Sequence, residues 1–226
     1  MTLLLVVTTF VAILVVELAV RHRRSTVALA ARSRDLGPAV AGSTPAKLPP
    51  DFLLHAGHTW IQAHDGDLAS VGTTDLAANF VGTVSSVVLP TEGQRLRPGD
   101  RAWTLISERH RRLRQAMPID GKVLAVNREL LQHPSLVQRA PYESGWILRV
   151  KPHNLGKSRV NLFAGTAAGM WLEAARAAVM KRLTPALGAV AQDGGEWVTA
   201  FGDHLGDDDW QVLKRDLFPT TPNGND

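Results

Sequence analysis

The chain has 226 residues, of which 45% are hydrophobic and 20% charged, with a formal net charge of +4 and no cysteine. This length allows one domain of roughly 100–150 residues with extensions, and the ordinary composition predicts that most of the chain folds. The lack of cysteine excludes disulfides, thiolate-bound zinc, iron–sulfur clusters and a cysteine nucleophile.

The N-terminus carries a long apolar run. Residues 3–20 read "LLLVVTTFVAILVVELAV", with Glu17 as the one ionisable residue. A helix of this length spans about 27 Å, close to the thickness of a bilayer's hydrocarbon core. The basic run "RHRR" follows the apolar run, whereas basic residues precede it in a signal peptide. The positive-inside rule therefore predicts a single-pass anchor over residues 1–24 in the cell membrane, with the remainder in the cytoplasm.

Glu17 lies near one end of this run. It either reaches the headgroups or pairs with a partner inside the bilayer, as in a structural subunit of a membrane complex. Residues 193–226 hold eight acidic and two basic residues, so the rest of the chain carries a net charge of +10. The anionic leaflet of a membrane attracts this basic part of the chain, with about 1 kcal/mol per well-placed basic residue.

After the anchor, the residue composition of the chain changes twice. Residues 25–50, rich in Gly, Pro, Ser and Thr, read as a linker. From 51 to 152, short β-branched runs alternate with turn residues, which favours an antiparallel sandwich or barrel. Two short helices interrupt the pattern: "DLAANF" at 75–80, capped by Thr74 or Asp75, and "NRELLQHPSLV" at 127–137, ending before a proline.

Residues 153–218 are predicted to form a helical extension, and residues 219–226 a loose tail. One helical face is predicted to carry Met170, Leu172, Ala175, Val179 and Leu183 and to stop at Pro185. A short β-like piece is expected at 195–201, and a helix with acids in its first turn after it. The extension's tryptophans are expected either to pack onto the barrel or to form a second interaction surface: Trp171, Trp197 and Trp210.

A series of motifs runs through the β-region. They are "HTW" at 58–60, "VGTTDLAANFVG" at 71–82, "LPTEGQRLRPGD" at 89–100 and "PIDGKVLAVNRELLQHPSLVQRAPYESGWILRVKP" at 118–152. In order, spacing and turn residues they resemble the glycine cleavage system H protein family. The resemblance implies a mainly β, lipoyl-type hybrid barrel-sandwich, here with an N-terminal transmembrane helix and a C-terminal helical extension. In "PYESGW", Tyr142 and Trp146 are expected to be packing residues.

The stretch "TLISERHRRLRQAMPIDGKVLAVN" at 104–127 reads as a strand, a turn and a returning strand. Its turn concentrates five basic or titratable residues: Arg109, His110, Arg111, Arg112 and Arg114. In the H-protein family, the hairpin tip carries a lysine bound to lipoate. This lysine lies eight residues before the proline that begins the family's "P-x-x-G-x-(I/V)-x-x-V-N" motif. Counting back from Pro118 gives His110, and no lysine lies between Lys47 and Lys122. The resemblance therefore implies that no covalent lipoate is attached in the family manner.

Four interpretations of the basic tip remain open. It docks an acidic surface of a protein partner, because the planar fork of arginine suits bidentate binding of carboxylates. It binds anionic lipid. It pairs internally with "DDDW" at 207–210, or it is a solvated turn that serves solubility. Nucleic acid is not expected, because the patch has no interleaved aromatic residues.

No catalytic or metal site is predicted. His110 lies at an exposed tip without a pocket, which is a poor position for a general base. The spacing of His55, His58 and His64 does not match a metal site. The sequence thus favours a non-enzymatic, membrane-tethered adaptor that docks a partner through its basic hairpin. The alternatives are a carrier in a transfer system that uses another attachment point, and a structural subunit of a membrane complex.

Overall fold

The computed structural model describes residues 46–187 and 199–218, and of residues 184–187 the backbone alone. Within these residues the strands β1–β10 lie at Leu53–His55, Thr59–His64, Leu68–Thr73, Val84–Val88, Arg95–Leu96, Arg101–Ser107, Arg112–Ala116, Gly121–Val126, Leu148–Pro152 and Leu162–Ala164. The helices α1–α5 lie at Asp75–Phe80, Leu136–Arg139, Leu155–Ser158, Gly165–Leu187 and Asp207–Leu217. Three 3-10 helices lie at Arg128–Leu131, Arg159–Asn161 and Phe201–His204.

The strands form two antiparallel sheets. One has the order β10-β1-β2-β3-β9-β8-β5, and the other has the order β4-β6-β7. Inward-facing residues alternate with exposed ones, as in β7, where Leu113 and Gln115 are buried and Arg112 and Arg114 are exposed. Trp60 and Trp103 are among the largest fully buried side chains of the core. The predicted mainly β sandwich is confirmed, and its larger sheet also includes β10, which lies within the predicted helical extension.

The two short helices within the β-region form where they were predicted. Thr74 caps α1 by accepting a 3.3 Å hydrogen bond from the backbone N–H of Ala77. The segment from Asn127 is a 3-10 helix that ends before Pro134, and a separate short helix, α2, follows the proline. The predicted stop before Pro134 is thus confirmed, although the helix is 3-10, because a proline disfavours the helical conformation in the residue that precedes it.

Two details predicted for the long helix α4 are wrong. The helix includes Pro185, since a proline removes one helical hydrogen bond without necessarily ending the helix. Met170 is 69% exposed, because it lies two residues, or roughly 200°, away from the buried Ala168 and Leu172. The β-like piece expected at 195–201 is also wrong for its last residue, because Phe201 begins a 3-10 helix.

Several predictions fall on residues outside the described ranges. They concern the anchor at residues 3–20, most of the linker, Trp197 and the tail at 219–226. In the part of the chain that is described, no helix has both the length and the apolar character needed to cross a bilayer.

Candidate functional site: the basic hairpin

The basic hairpin is built from β6 and β7. Leu105 pairs with Leu113, and the backbone N–H of Ser107 donates to the carbonyl of Arg111 at 3.0 Å. His110 stands at the turn with a φ of 60° and donates its N–H to Ser107 O at 2.8 Å. Histidine is one of the few residues other than glycine that are enriched in this left-handed conformation. The predicted strand, turn and returning strand are confirmed.

The five tip residues do not share one environment. Arg109, His110, Arg112 and Arg114 are exposed, but Arg111 is only 7% exposed. The expected field of five exposed groups is therefore wrong for Arg111. The cause is the alternation of the strand, because residue 111 falls on the same inward side as residues 113 and 115.

Arg111 binds the C-terminal segment, residues 199–218. Its guanidinium donates to the carbonyl oxygens of Gly202 and Leu205, the latter at 2.7 Å, and to Asp207 Oδ1 at 2.7 Å. It also lies 5.5 Å from the centre of the Trp210 ring, in the range of a cation–π contact. Of the four interpretations left open for the basic tip, internal pairing with residues 207–210 holds for Arg111.

The charge of Arg111 acts on its carboxylate partner. The hydrogen bond from Arg111, followed by its charge, lowers the pKa of Asp207 from its ordinary value. The Asp207 side chain is 85% exposed, so solvent screens this ion pair and the carbonyl contacts carry most of the local binding.

Further polar contacts hold the same segment beside the tip. Arg109 donates to the carbonyl oxygen of Asp203, and Asp203 Oδ2 accepts from both the N–H and the hydroxyl of Thr83 at 2.7 Å. Thr83 O in turn accepts from the N–H of Glu108 at 2.9 Å. The tip, the start of β4 and the C-terminal segment thus form one connected network.

Apolar contacts hold the segment against α1. The Trp210 ring stacks on Phe80 at a centroid distance of 5.1 Å, and its Nε1–H donates to Phe80 O at 3.0 Å. Gly202 approaches the same helix so closely that a Cβ would lie 1.9 Å from Phe80 O. The expectation that Trp210 packs onto the barrel is confirmed.

A second buried cluster joins α4 to the sheets. Arg176 donates to both carboxylate oxygens of Asp75 at 2.6 Å, and the hydroxyl of Tyr142 donates to Asp75 Oδ1 at 2.9 Å. Burial disfavours the charge of Arg176, but Asp75 overcomes this and raises the pKa of the guanidinium. Burial, and then the charge of Asp75, raise the pKa of Tyr142. Tyr142 is a packing residue, as expected, with a polar role in addition.

His58, from the "HTW" motif, is also buried beside α4. Its ring lies 4.8 Å from that of Trp171 and 5.1 Å from that of Phe218. Burial, with smaller contributions from His55 and Arg176, lowers the pKa of His58 to about 3. The imidazole is therefore neutral at physiological pH and acts as a packing group.

Neither cluster gathers a set of metal ligands. Among residues 46–187 and 199–218, no group of three or more His, Asp or Glu residues could hold a metal ion. The tip offers an imidazole and guanidinium groups, which do not fit amide attachment of a lipoyl group. Lys122 lies on β8 in the other sheet, opposite Lys151.

Sequence reasoning did not single out Asp75, Arg176, Thr83 or Asp203 as partners. Asp75 and Arg176 are separated by 101 residues and Thr83 and Asp203 by 120, so no local pattern connects them. The burial of Arg111 did have a sequence signal, namely the alternation through Leu113 and Gln115.

Two antiparallel sheets with a hairpin tip projecting from the smaller one define a lipoyl-type domain with a C-terminal extension. Residues 53–174 match the family model described as "Glycine cleavage H-protein". The chain belongs to this family.

Two relatives, from Listeria monocytogenes and Bacteroides fragilis, agree with this assignment. A glycine cleavage system H protein of Listeria monocytogenes is 36% identical over 104 residues, which cover 46% of this chain and 82% of that protein. One from Bacteroides fragilis is 37% identical over 102 residues, covering 43% and 75%. The crystal structure of a glycine cleavage system H protein from Mycobacterium marinum superposes with a TM-score of 0.49 at 24% identity, covering 56% of this chain and 99% of that one.

Proposed function

We propose that this protein is a non-lipoylated, membrane-tethered member of the H-protein family that acts as a non-enzymatic adaptor. The observation that carries the proposal is the composition and packing of the hairpin tip. The tip presents His110 without any lysine, and its neighbours Arg109 and Arg111 bind the chain's own C-terminal segment.

The absence of a lysine at the tip argues against the carrier role. An imidazole does not form the stable amide that an ε-amine forms with lipoate. Lys122, the next lysine after Lys47, lies within a paired strand rather than at a turn. A modifying enzyme that acts on an exposed turn would not find a lysine in the same position here.

The partner-binding role falls to the exposed members of the basic set. Arg112 and Arg114 project from the same side of β7, and His110 stands at the adjacent turn. The guanidinium groups of Arg112 and Arg114 suit bidentate contacts with carboxylates. We therefore assign the exposed residues of the tip to the binding of an acidic surface on a protein partner. Arg111 is removed from the predicted partner-binding set because its donors are used internally.

The tether rests on the sequence of residues 3–20 and the basic run that follows it. It would keep the domain at the cytoplasmic face of the cell membrane and give the protein a high effective concentration near any membrane-bound partner.

The test is the intact mass of the full chain purified from its native membrane. We expect the mass of the unmodified chain with its N-terminal segment retained. A mass increased by one lipoyl group would contradict the adaptor role and restore a carrier. A mass lacking about the first 30 residues would match signal-peptide cleavage and contradict the tether.

Partner binding is tested in the same preparation. Arg112→Ala with Arg114→Ala should reduce the amount of co-purified partner, since both lose exposed cations. The matched control is Arg128→Ala with Arg139→Ala, which removes two cations outside the hairpin. Equal partner recovery from both double variants would contradict the role of the hairpin.

A further inference from the structure

A cleft of about 620 Å³ opens on the seven-stranded sheet, where β2 ends and β8 begins. Basic and titratable side chains dominate its polar lining: His64, Arg95, Lys122, Lys151 and His153, with Asp67 as an acid. This volume lies within the range of small-molecule sites. Nothing in the adaptor role uses this cleft, because the basic hairpin belongs to the other sheet.

Three of the cations stand in one cross-strand row. Arg95 on β5 lies directly opposite Lys122 on β8, and Lys122 lies directly opposite Lys151 on β9. Like charges in this register destabilise a sheet. None of the ion pairs found in the described part of the chain involves any of the three. Within residues 46–187 and 199–218, the row therefore carries positive charge that no carboxylate approaches to ion-pair distance.

The backbone around the cleft holds this row in place. Gly121 lines the floor, where a Cβ would lie 2.9 Å from the carbonyl oxygen of Lys151, so a side chain would disturb the pairing. At the rim, the N–H of His153 donates to Asp120 O at 2.9 Å, and Asn154 caps α3 by accepting from the N–H of Lys157 at 2.9 Å. The cations thus project from paired strands and a hydrogen-bonded rim.

We propose that this cleft binds a small soluble ligand that carries two or more phosphate groups. The three cations project from adjacent strands spaced about 4.8 Å apart, so the row is about 10 Å wide at the backbone and its long side chains can close on a ligand with two phosphorus centres. A diphosphate places acceptor oxygens on both centres, so it can contact all three side chains at once and offset the repulsion within the row. The concave shape favours a small ligand over the flat surface of a bilayer.

The test is titration of the full chain in neutral detergent with inorganic diphosphate, followed by calorimetry. We expect saturable binding that weakens as salt is added, because the contacts are charge–charge contacts near solvent. Lys122→Gln with Lys151→Gln should weaken binding by at least about tenfold, since two charged donors are lost. The matched control, Arg128→Gln with Arg139→Gln, removes two exposed cations that do not line the cleft and should bind as the native chain does.

A second measurement separates loss of the site from loss of the fold. Without ligand, the Lys122→Gln, Lys151→Gln variant should melt about 1–3 °C above the native chain, because it lacks the cross-strand repulsion. Absence of saturable binding by the native chain would overturn the proposal, as would equal binding by the cleft variant. Tighter binding of a monomeric short-chain phosphatidylglycerol than of diphosphate would overturn it too, in favour of a lipid site. These outcomes leave the adaptor role untouched, since it rests on the hairpin.

Discussion

Replacing Arg111 by methionine should release the C-terminal segment from the hairpin tip while the barrel stays folded. The change keeps the length and apolar stem of the side chain but removes its donors to Gly202 O, Leu205 O and Asp207. The contact with Asp207 is discounted because that carboxylate is 85% exposed. The two buried bonds from a charged donor contribute about 1.5 kcal/mol each, so the segment should lose about 3 kcal/mol of local stability.

Amide hydrogen exchange measures this loss directly. A decrease of about 3 kcal/mol corresponds to exchange about a hundredfold faster for amides that open with the segment. We expect the acceleration within residues 201–217, with β2 and β3 unchanged. Arg112→Met is the matched control, because Arg112 is exposed and should have no effect. Unchanged protection of the segment in Arg111→Met would refute the role assigned to these bonds, and equal acceleration in β2 would refute their local character.

Two further predictions concern the cluster beside α4. Because the pKa of His58 is lowered to about 3, the unfolded chain binds a proton below pH 6.5 that the folded chain does not, and stability falls as the pH falls from 6.5 toward 3. Urea unfolding should show that His58→Leu reduces the stability lost between pH 8 and pH 5 by about 2 kcal/mol, and an identical loss would contradict the buried neutral imidazole. Arg176→Leu should cost about 3–5 kcal/mol, because it leaves the Asp75 carboxyl group buried without its partner, whereas Arg176→Leu with Asp75→Leu should recover most of that cost; an equally unstable double variant would contradict this account.

The parts of the fold that depend on local pattern were predictable. Turn residues and β-branched runs predicted the antiparallel sheets, and Thr74 was correctly named as a candidate cap of α1. The face of α4 was predicted in part: Leu172 and Val179 are buried, but Met170 is exposed and a charged residue, Arg176, occupies the buried stripe. A buried arginine is not visible in a hydrophobic pattern, because its burial depends on a carboxylate far away in sequence.

The candidate site was predicted as a location but not as an arrangement. The charge of the tip was evident from its residues. The internal hydrogen bonding of Arg111, in contrast, depends on the backbone carbonyl oxygens of Gly202 and Leu205, which any residue type supplies. The basic row of the cleft likewise depends on strand register, which places Lys122 between Arg95 and Lys151. Register follows from the packing of whole strands, so it could not be predicted from the sequence spacing of one arginine and two lysines.

The contacts of Arg111 also set an order of events during folding. Its partners lie 91 to 96 residues further along the chain. Contacts of such separation require closure of a long loop, and they form after local pairings such as the β6–β7 hairpin. The sheets include no strand from residues 199–218, so their pairing does not require this segment. The hairpin tip therefore reaches its final state only when residues 199–218 have docked on it, and a chain truncated before residue 199 would display Arg111 as a free surface cation.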